Sequence, residues 1–321
     1  MIARIRPYTK YIALILTIIL VALLLTQVSL KDVITTLTQI NPLYLLAGFV
    51  LYTCTYFFRA WRFHILLNNE VSLGELFNIE CVHNMMNNLL PARTGELSYV
   101  YLLKKKNNRT TGDGLATLVV ARILDFIGLA IIFFVSILLI KDVPGIIRNA
   151  LWLIALFTIV VLVILAVLLF TGRAVLAFLQ KIAGRFHIEN SRVINYLLKK
   201  GNETVESLEK IQIKKGGLFL IVLSLLIWGL NYVMVYLLIT GMNVQFPFLL
   251  VTVGCTFILL TSLLPIQGLG GFGTTETIWT LVFVPLGMSL NDAIISGFCY
   301  HIILIFYFII LGIYGWNKTR S

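Results

Sequence analysis

Charge is what this chain has least of. Asp, Glu, Lys and Arg together make up 12% of the 321 residues, against about a quarter in soluble domains. Acidic residues are scarcer still, 14 against 25 basic ones. Four cysteines, Cys54, Cys81, Cys255 and Cys299, sit inside apolar segments and form no CxxC, which excludes a disulfide framework or a zinc ribbon. The four histidines have no metal-ligand spacing, and no GxxxxGK[ST] run occurs, so neither a metal, nor a nucleotide nor any other cofactor is expected. What fills the chain is apolar: 59% of the residues are hydrophobic, the composition of an integral membrane protein. The net charge of +11 then points to membrane orientation and anionic lipid rather than to nucleic acid.

A membrane span needs about 20 apolar residues. Six stretches qualify: Tyr11–Gln27, Pro42–Phe58, Leu115–Ile140, Ile147–Thr171, Gly217–Thr240 and Ala293–Tyr314. The first follows a basic N-terminus and lacks a small-residue cleavage site, so it reads as an uncleaved span. Two further apolar regions are interrupted. Leu73–Leu90 ends at Pro91 and is followed by only Glu96–Leu103; Phe248–Leu264 ends at Pro265, followed by a glycine-rich stretch and Thr274–Leu286. Proline removes a backbone donor and clashes with the preceding turn, so each reads as a broken helix.

If both broken regions are re-entrant hairpins, twenty basic residues share one side of the membrane, and only Lys31, Lys141 and Arg148 lie on the other. The positive-inside rule then places both termini in the cytoplasm and the chain in the cell membrane. The fold class expected is an all-α polytopic membrane protein, six transmembrane helices plus two re-entrant helical hairpins. It is one domain over 1–321, with a first unit at about 42–140, a cytoplasmic amphipathic linker at about 172–216 and a second unit at about 217–314. The units would enter the membrane with opposite polarity, an inverted-topology repeat of the kind transporters use. "LLP" followed by a glycine and a glutamate recurs in both hairpins, with Gly95/Glu96 and Gly273/Glu276.

Broken backbone survives in a membrane only inside protein or beside water. The breaks therefore read as a polar pocket, or else as hairpins that plug the bundle. Charges inside spans are costly and pair or line a pathway. They are Arg93, Glu96, Arg122, Asp125 and Glu276. Arg122 and Asp125, three apart, share a helix face and fit an ion pair that orders the bundle. Arg93 is the best phosphate ligand by guanidinium geometry. Arg59 and Arg62, in "FFRAWRFHILL", read either as headgroup ligands or as snorkelling anchors. Glycines 270, 271 and 273 let backbone approach a ligand closely. Asn84, Asn87 and Asn88 add polar lining, and His83 and His301 read as packed or hydrogen-bonded residues.

The segments "RAWRFHILL", "NNLLPARTGELSYVYLLKK", "VVARILDFIG" and "LLPIQGLGGFGTTE" resemble the motifs of the lysylphosphatidylglycerol synthase transmembrane-domain family, also called flippase-like, over roughly residues 10–315. The resemblance carries to Arg59, Arg62, Pro91, Arg93, Gly95, Glu96, Arg122, Asp125, Pro265, Gly270, Gly271 and Glu276. It implies a lipid flippase or translocase handling an anionic phospholipid or a polyprenyl-phosphate lipid. The alternatives are a membrane-embedded headgroup-modifying enzyme, or a membrane partner of a separate soluble aminoacyl-phospholipid synthase. Full-length synthases of the family carry a large soluble lysyl-transferring domain. These 321 residues have no room for it, so a phosphatidylglycerol lysyltransferase label would lack its catalytic half. Gln267 and Thr274/Thr275 depart from a more glycine-rich and basic pattern, which leaves the lipid open.

Overall fold

The structure is a computed structural model that describes residues 17–90, 95–140, 171–178, 191–210, 213–261 and 269–320, with scattered positions between 152 and 185. The described elements are all helical: α1 (Thr17–Leu25), α2 (Leu30–Gln39), α3 (Pro42–Leu66), α4 (Leu73–Leu89), α5 (Glu96–Asn107), α6 (Thr111–Leu139), α7 (Arg192–Lys210), α8 (Ile213–Gly241), α9 (Phe248–Thr261), a short 3₁₀ turn (Leu269–Gly271), α10 (Thr274–Phe283) and α11 (Leu290–Arg320). Four of them are long and apolar enough to cross a membrane: Pro42–Leu66, Thr111–Leu139, Gly216–Gly241 and Leu290–Arg320. Together α1 and α2 supply a fifth candidate, bent by 82°. The expected span at 147–171, Pro91 and Pro265 lie largely or wholly outside the described residues.

Local chemistry sets the helix boundaries. Pro42 sits in the first turn of α3 behind the Asn41 cap. Ser72 caps α4 and Thr110 caps α6, the latter in a reciprocal capping box with Asp113. Asparagines take the left-handed positions that follow helices, Asn68 and Asn69 after α3, Asn108 after α5 and Asn243 after α8, a conformation Asn tolerates better than most side chains.

One difference from the sequence reading matters for function. Pro42–Phe58 extends as helix to Leu66, so Arg59 and Arg62 lie inside α3 and not at its end. Also, α2 is a separate amphipathic helix started by a Ser29–Asp32 capping box.

Helices α3 to α6 and α8 to α11 follow one another along the chain on either side of α7. The first helices pack on each other, α3 along α8; α4 packs on α11, and α9 packs on α6. The α3–α8 pair is antiparallel. Tyr44, near the start of α3, lies against Gly241 at the end of α8; Gly48 lies against Leu238; Trp61 meets Phe219 near the start of α8. Close approach uses small residues, as packing between membrane helices commonly does: Met85 of α4 occupies the space over Gly312, and Cys81 that over Gly315. The 269–271 turn packs on α4. Helix α7 docks on the start of α6, where Ser207 Oγ donates to Asp113 Oδ1 at 2.9 Å.

Candidate functional site

Five of the charged residues singled out in the sequence, Arg59, Arg62, Glu96, Arg122 and Asp125, converge between α3, α4, α5, α6 and α8. Arg62 is 2% exposed and grips Asp125 with both terminal nitrogens, Nη1 to Oδ1 at 2.6 Å and Nη2 to Oδ2 at 3.3 Å. Its Nη1 also donates to Ser224 Oγ on α8 at 3.0 Å, and Trp228 Nε1 of α8 donates to Asp125 Oδ1 at 3.0 Å. A buried guanidinium needs a carboxylate and further hydrogen bonds to offset its desolvation, and this one has both. Snorkelling is therefore not the role of Arg62.

Arg59, one turn earlier, has its guanidinium 5.7 Å from the centre of the Trp228 ring and 3.6 Å from Glu80 Oε1. Glu80 escaped the sequence reading because it stands alone in an apolar run, "NIECVHN". The signal was available: a lone carboxylate in an apolar helix needs a cation, and Arg59 and Arg62 lie on the helix that precedes it in sequence.

Toward the other end, Arg122 Nη2 donates to Glu96 Oε1 at 2.5 Å, and Arg122 Nη1 lies 3.9 Å from Asp125 Oδ2. The expected Arg122–Asp125 pair exists, as the weaker contact of each residue. Exposure divides the cluster. The Arg122 and Glu96 side chains are 32% and 31% exposed, whereas Arg62 is sealed. Three arginines and three carboxylates thus form one network, closed at Arg62–Asp125 and open at Arg122–Glu96.

Several buried polar atoms of the first site have no hydrogen-bond partner among the described residues: Arg59 Nε, Arg62 Nε, Glu80 Oε2, His83 Nδ1 and Asn87 Oδ1. Glu80, His83 and Asn87 fall at i, i+3 and i+7, one face of α4. Buried polar groups left this way are costly.

The hairpin tip beside them is tight. A Cβ on Gly95 would lie 2.2 Å from the Asn87 backbone nitrogen, so only glycine fits where α5 turns back along α4. Arg93 and Pro91, in the break itself, lie outside the described residues.

The second set of predicted residues sits elsewhere. Glu276, 0% exposed, accepts from the Gly273 N–H at 2.7 Å and faces His301 Nδ1 of α11 at 2.6 Å. Gly270, Gly271 and Gly273 have φ of 58°, 83° and 79°, the left-handed region that side chains other than Asn and Asp rarely adopt. A Cβ at Gly273 would also meet Leu20 of α1 at 2.8 Å. Among the described residues no cluster of three His, Cys, Asp or Glu fit to hold a metal occurs.

Comparison with known proteins adds one positive finding. The profile of the family described as Lysylphosphatidylglycerol synthase TM region matches residues 11–312. No curated protein and no solved structure matches the chain significantly.

Proposed function

This chain belongs to the lysylphosphatidylglycerol synthase TM region family, and we propose that it is a multi-pass translocator of an anionic lipid, built as an inverted repeat. The observation that carries this reading is the antiparallel α3–α8 pair with the charged network beneath it. The first helices of the two units run in opposite directions, as units of opposite topology require. The α4–α11 contact has its image in the α9–α6 contact, which supports a twofold relation between units. Broken helices at a repeat interface are where transporters place substrate.

In this reading α4–α5 and α9–α10 are re-entrant hairpins that dip from opposite sides. The first leg of the first hairpin, α4, at 17 residues, rises about 26 Å, short of a hydrocarbon core of about 30 Å. With spans at 11–27 and 147–171 the total is six. The basic asymmetry places both termini in the cytoplasm of a plasma membrane. The substrate headgroup, on a phospholipid or a polyprenyl phosphate, meets Arg122 and Glu96 at the open end. Arg93 is next to it in sequence. Arg59, Arg62 and Asp125 fix the frame, with Glu276 and the glycine turn shaping the opposite hairpin.

The test is purified protein in liposomes carrying a fluorescent anionic lipid and an external quencher. Faster loss of inner-leaflet signal than in empty liposomes is expected; equal rates overturn the proposal. A second reading, partner of a separate synthase, draws on α7, whose Ser207 side is docked while Tyr196 is exposed. Deleting 172–216 would then abolish capture of a purified synthase.

A further inference from the structure

The contacts of His301 fix a proton count. Its Nε2 lies 3.0 Å from the Gly270 carbonyl oxygen, and its Nδ1 lies 2.6 Å from Glu276 Oε1. A carbonyl only accepts, so Nε2 must donate. In a neutral imidazole the other nitrogen is then a lone pair, facing a carboxylate oxygen with no hydrogen between them. The opposite tautomer satisfies Glu276 but sets a lone pair against Gly270. One further proton, on Nδ1 or on Oε1, makes both contacts hydrogen bonds.

We infer that Glu276 and His301 form a shared proton-binding site whose proton latches the glycine turn of the second hairpin to α11. The ligand is a single proton. Its binding forms the Nδ1···Oε1 hydrogen bond, and its release leaves α11 with one of two ties to the turn. The surroundings suit a latch. The Phe272 ring lies 4.7 Å from the imidazole, and Gly271 leaves no room between, since a Cβ there would be 3.3 Å from the ring and 2.9 Å from Thr275 Oγ1. Glu276 Oε2 is already committed to the Gly273 N–H. Both partners are buried, so water does not offset a lost bond cheaply.

The other titratable groups on neighbouring elements are engaged away from His301. On α3, Tyr44 lies against Gly241, Tyr56 donates to Tyr52, Cys54 lines a groove with Leu73, Arg59 faces Glu80, Arg62 grips Asp125 and His64 contacts the Val71 carbonyl. On α8, Tyr232 pairs with Thr256 and Tyr236 lies against Phe248. On α4, Glu75 bonds Ser72, Glu80 sits by Arg59, His83 lies against Tyr99 and Cys81 lies beside Gly315. On α2, Asp32 accepts from the Ser29 N–H, and Lys31 is exposed on the first turn. On α11 itself, Asp292 accepts from Ser289, Cys299 donates to the Val33 carbonyl, Tyr300 stacks on Trp279, and Tyr307 donates to the Leu45 carbonyl. The remaining ionisable groups of α11 are Tyr314, beside Phe77, Lys318, which lines a groove with Leu73, and Arg320, over Trp316, all in its last two turns. Glu276 is the one ionisable side chain bonded to His301 among the described residues.

The inference does not need lipid transport, and its test avoids it. Glu276→Gln keeps the latch without a titrating carboxyl, because the amide donates to Nδ1 while its oxygen still accepts from Gly273. Thr275→Cys, in a Cys54→Ser background, reports the turn by its alkylation rate in nanodiscs. Comparing the parent with Glu276→Gln at each pH cancels the thiol's own pH response. The rates should match where the parent's pair holds its proton and diverge by roughly tenfold or more where it has lost it, the parent being faster, as loss of a charge-assisted bond implies. His301→Ala should be fast at every pH. Equal rates for the parent and Glu276→Gln across the range, or a slow His301→Ala, overturn the inference. Should Glu276→Gln fail to fold, pH-difference infrared spectra decide. A carboxylic acid or imidazolium band gained on acidification by the parent and missing from His301→Ala is expected, and identical spectra overturn it.

Discussion

Arg62 and Asp125, 63 positions apart in the chain, form a two-pronged ion pair that ties α3 to α6 while Ser224 and Trp228 bind the same pair from α8. Three long helices therefore share one buried charge junction. That junction is fixed, because its shortest ion pair, Arg62–Asp125, joins two different helices. Its neighbour, Arg122–Glu96, is about a third exposed and is the part that meets the headgroup in the proposed function.

Breaking the closed pair from one side should be expensive. Asp125→Ala leaves the Arg62 guanidinium buried without its main carboxylate, a loss of about 3–5 kcal/mol. The double variant Arg62→Met, Asp125→Leu should recover most of it, since two apolar side chains of similar size restore packing without any charge. Unfolding in a denaturing detergent titration measures both. A double variant no better than the single one would count against the pair as the source of the loss.

Arg122→Gln should behave in the opposite way. Both members of the Arg122–Glu96 pair are about a third exposed, so solvent screening limits the stability change to about 1 kcal/mol. Binding of an anionic lipid should weaken by tenfold or more, the worth of a charge-assisted hydrogen bond to phosphate, about 1.5–3 kcal/mol. Calorimetry with a soluble short-chain anionic lipid separates the two effects. A variant that unfolds but binds normally would reassign Arg122 to the frame.

The long spans were legible because runs of apolar residues longer than about 18 have few alternatives to crossing a membrane. The full length of α3 was not. Arg59 and Arg62 look like a helix end when read locally, and what keeps them inside is contributed by Glu80, Asp125 and Trp228 from other helices. Spacing found Arg122–Asp125 because i, i+3 neighbours are a local property. It could not rank that contact below Arg62–Asp125 or Arg122–Glu96, which depend on tertiary register. Helix α2 carried a readable start signal, Ser29 with Asp32 three residues on, but ten residues of weak hydropathy do not register in a search for spans. Glu276 looked like a ligand for lipid because it is a charge in an apolar run; the bonds to Gly273 and His301 are visible only in three dimensions.

The hairpin tip of the first unit allows a steric test. Gly95→Ala places a methyl 2.2 Å from the Asn87 backbone nitrogen, so α4 and α5 must move apart, and overpacking of this kind costs about 1–3 kcal/mol. Gly74→Ala, a control position with no atom within 4 Å of the added carbon, should be neutral or slightly stabilising, because alanine is the better helix former by about 1 kcal/mol. Thermal inactivation of lipid binding compares them. Equal midpoints for the two variants would mean the tip is not close-packed.

The docking of α7 on α6 gives the last prediction. A Cβ at Gly112 would lie 2.6 Å from the Glu203 carbonyl oxygen, a backbone atom that yields only if the whole helix shifts. Gly112→Val should therefore lift α7 away and cost the Ser207–Asp113 hydrogen bond as well, a bond worth about 1 kcal/mol on its own. The span of α6 is apolar and buried further along, so insertion in the membrane should survive. Trypsin reports the difference, because Lys199 and Lys200 lie on α7 and a docked helix resists the local unfolding that cleavage requires. Gly112→Val should be cut there several times faster than the parent, and Ser207→Ala should fall between them. Gly229→Ala in α8, with nothing within 4 Å of its added carbon, should match the parent. If all four proteins are cut at one rate, α7 is not held by this contact, and its attachment must come from another part of the linker.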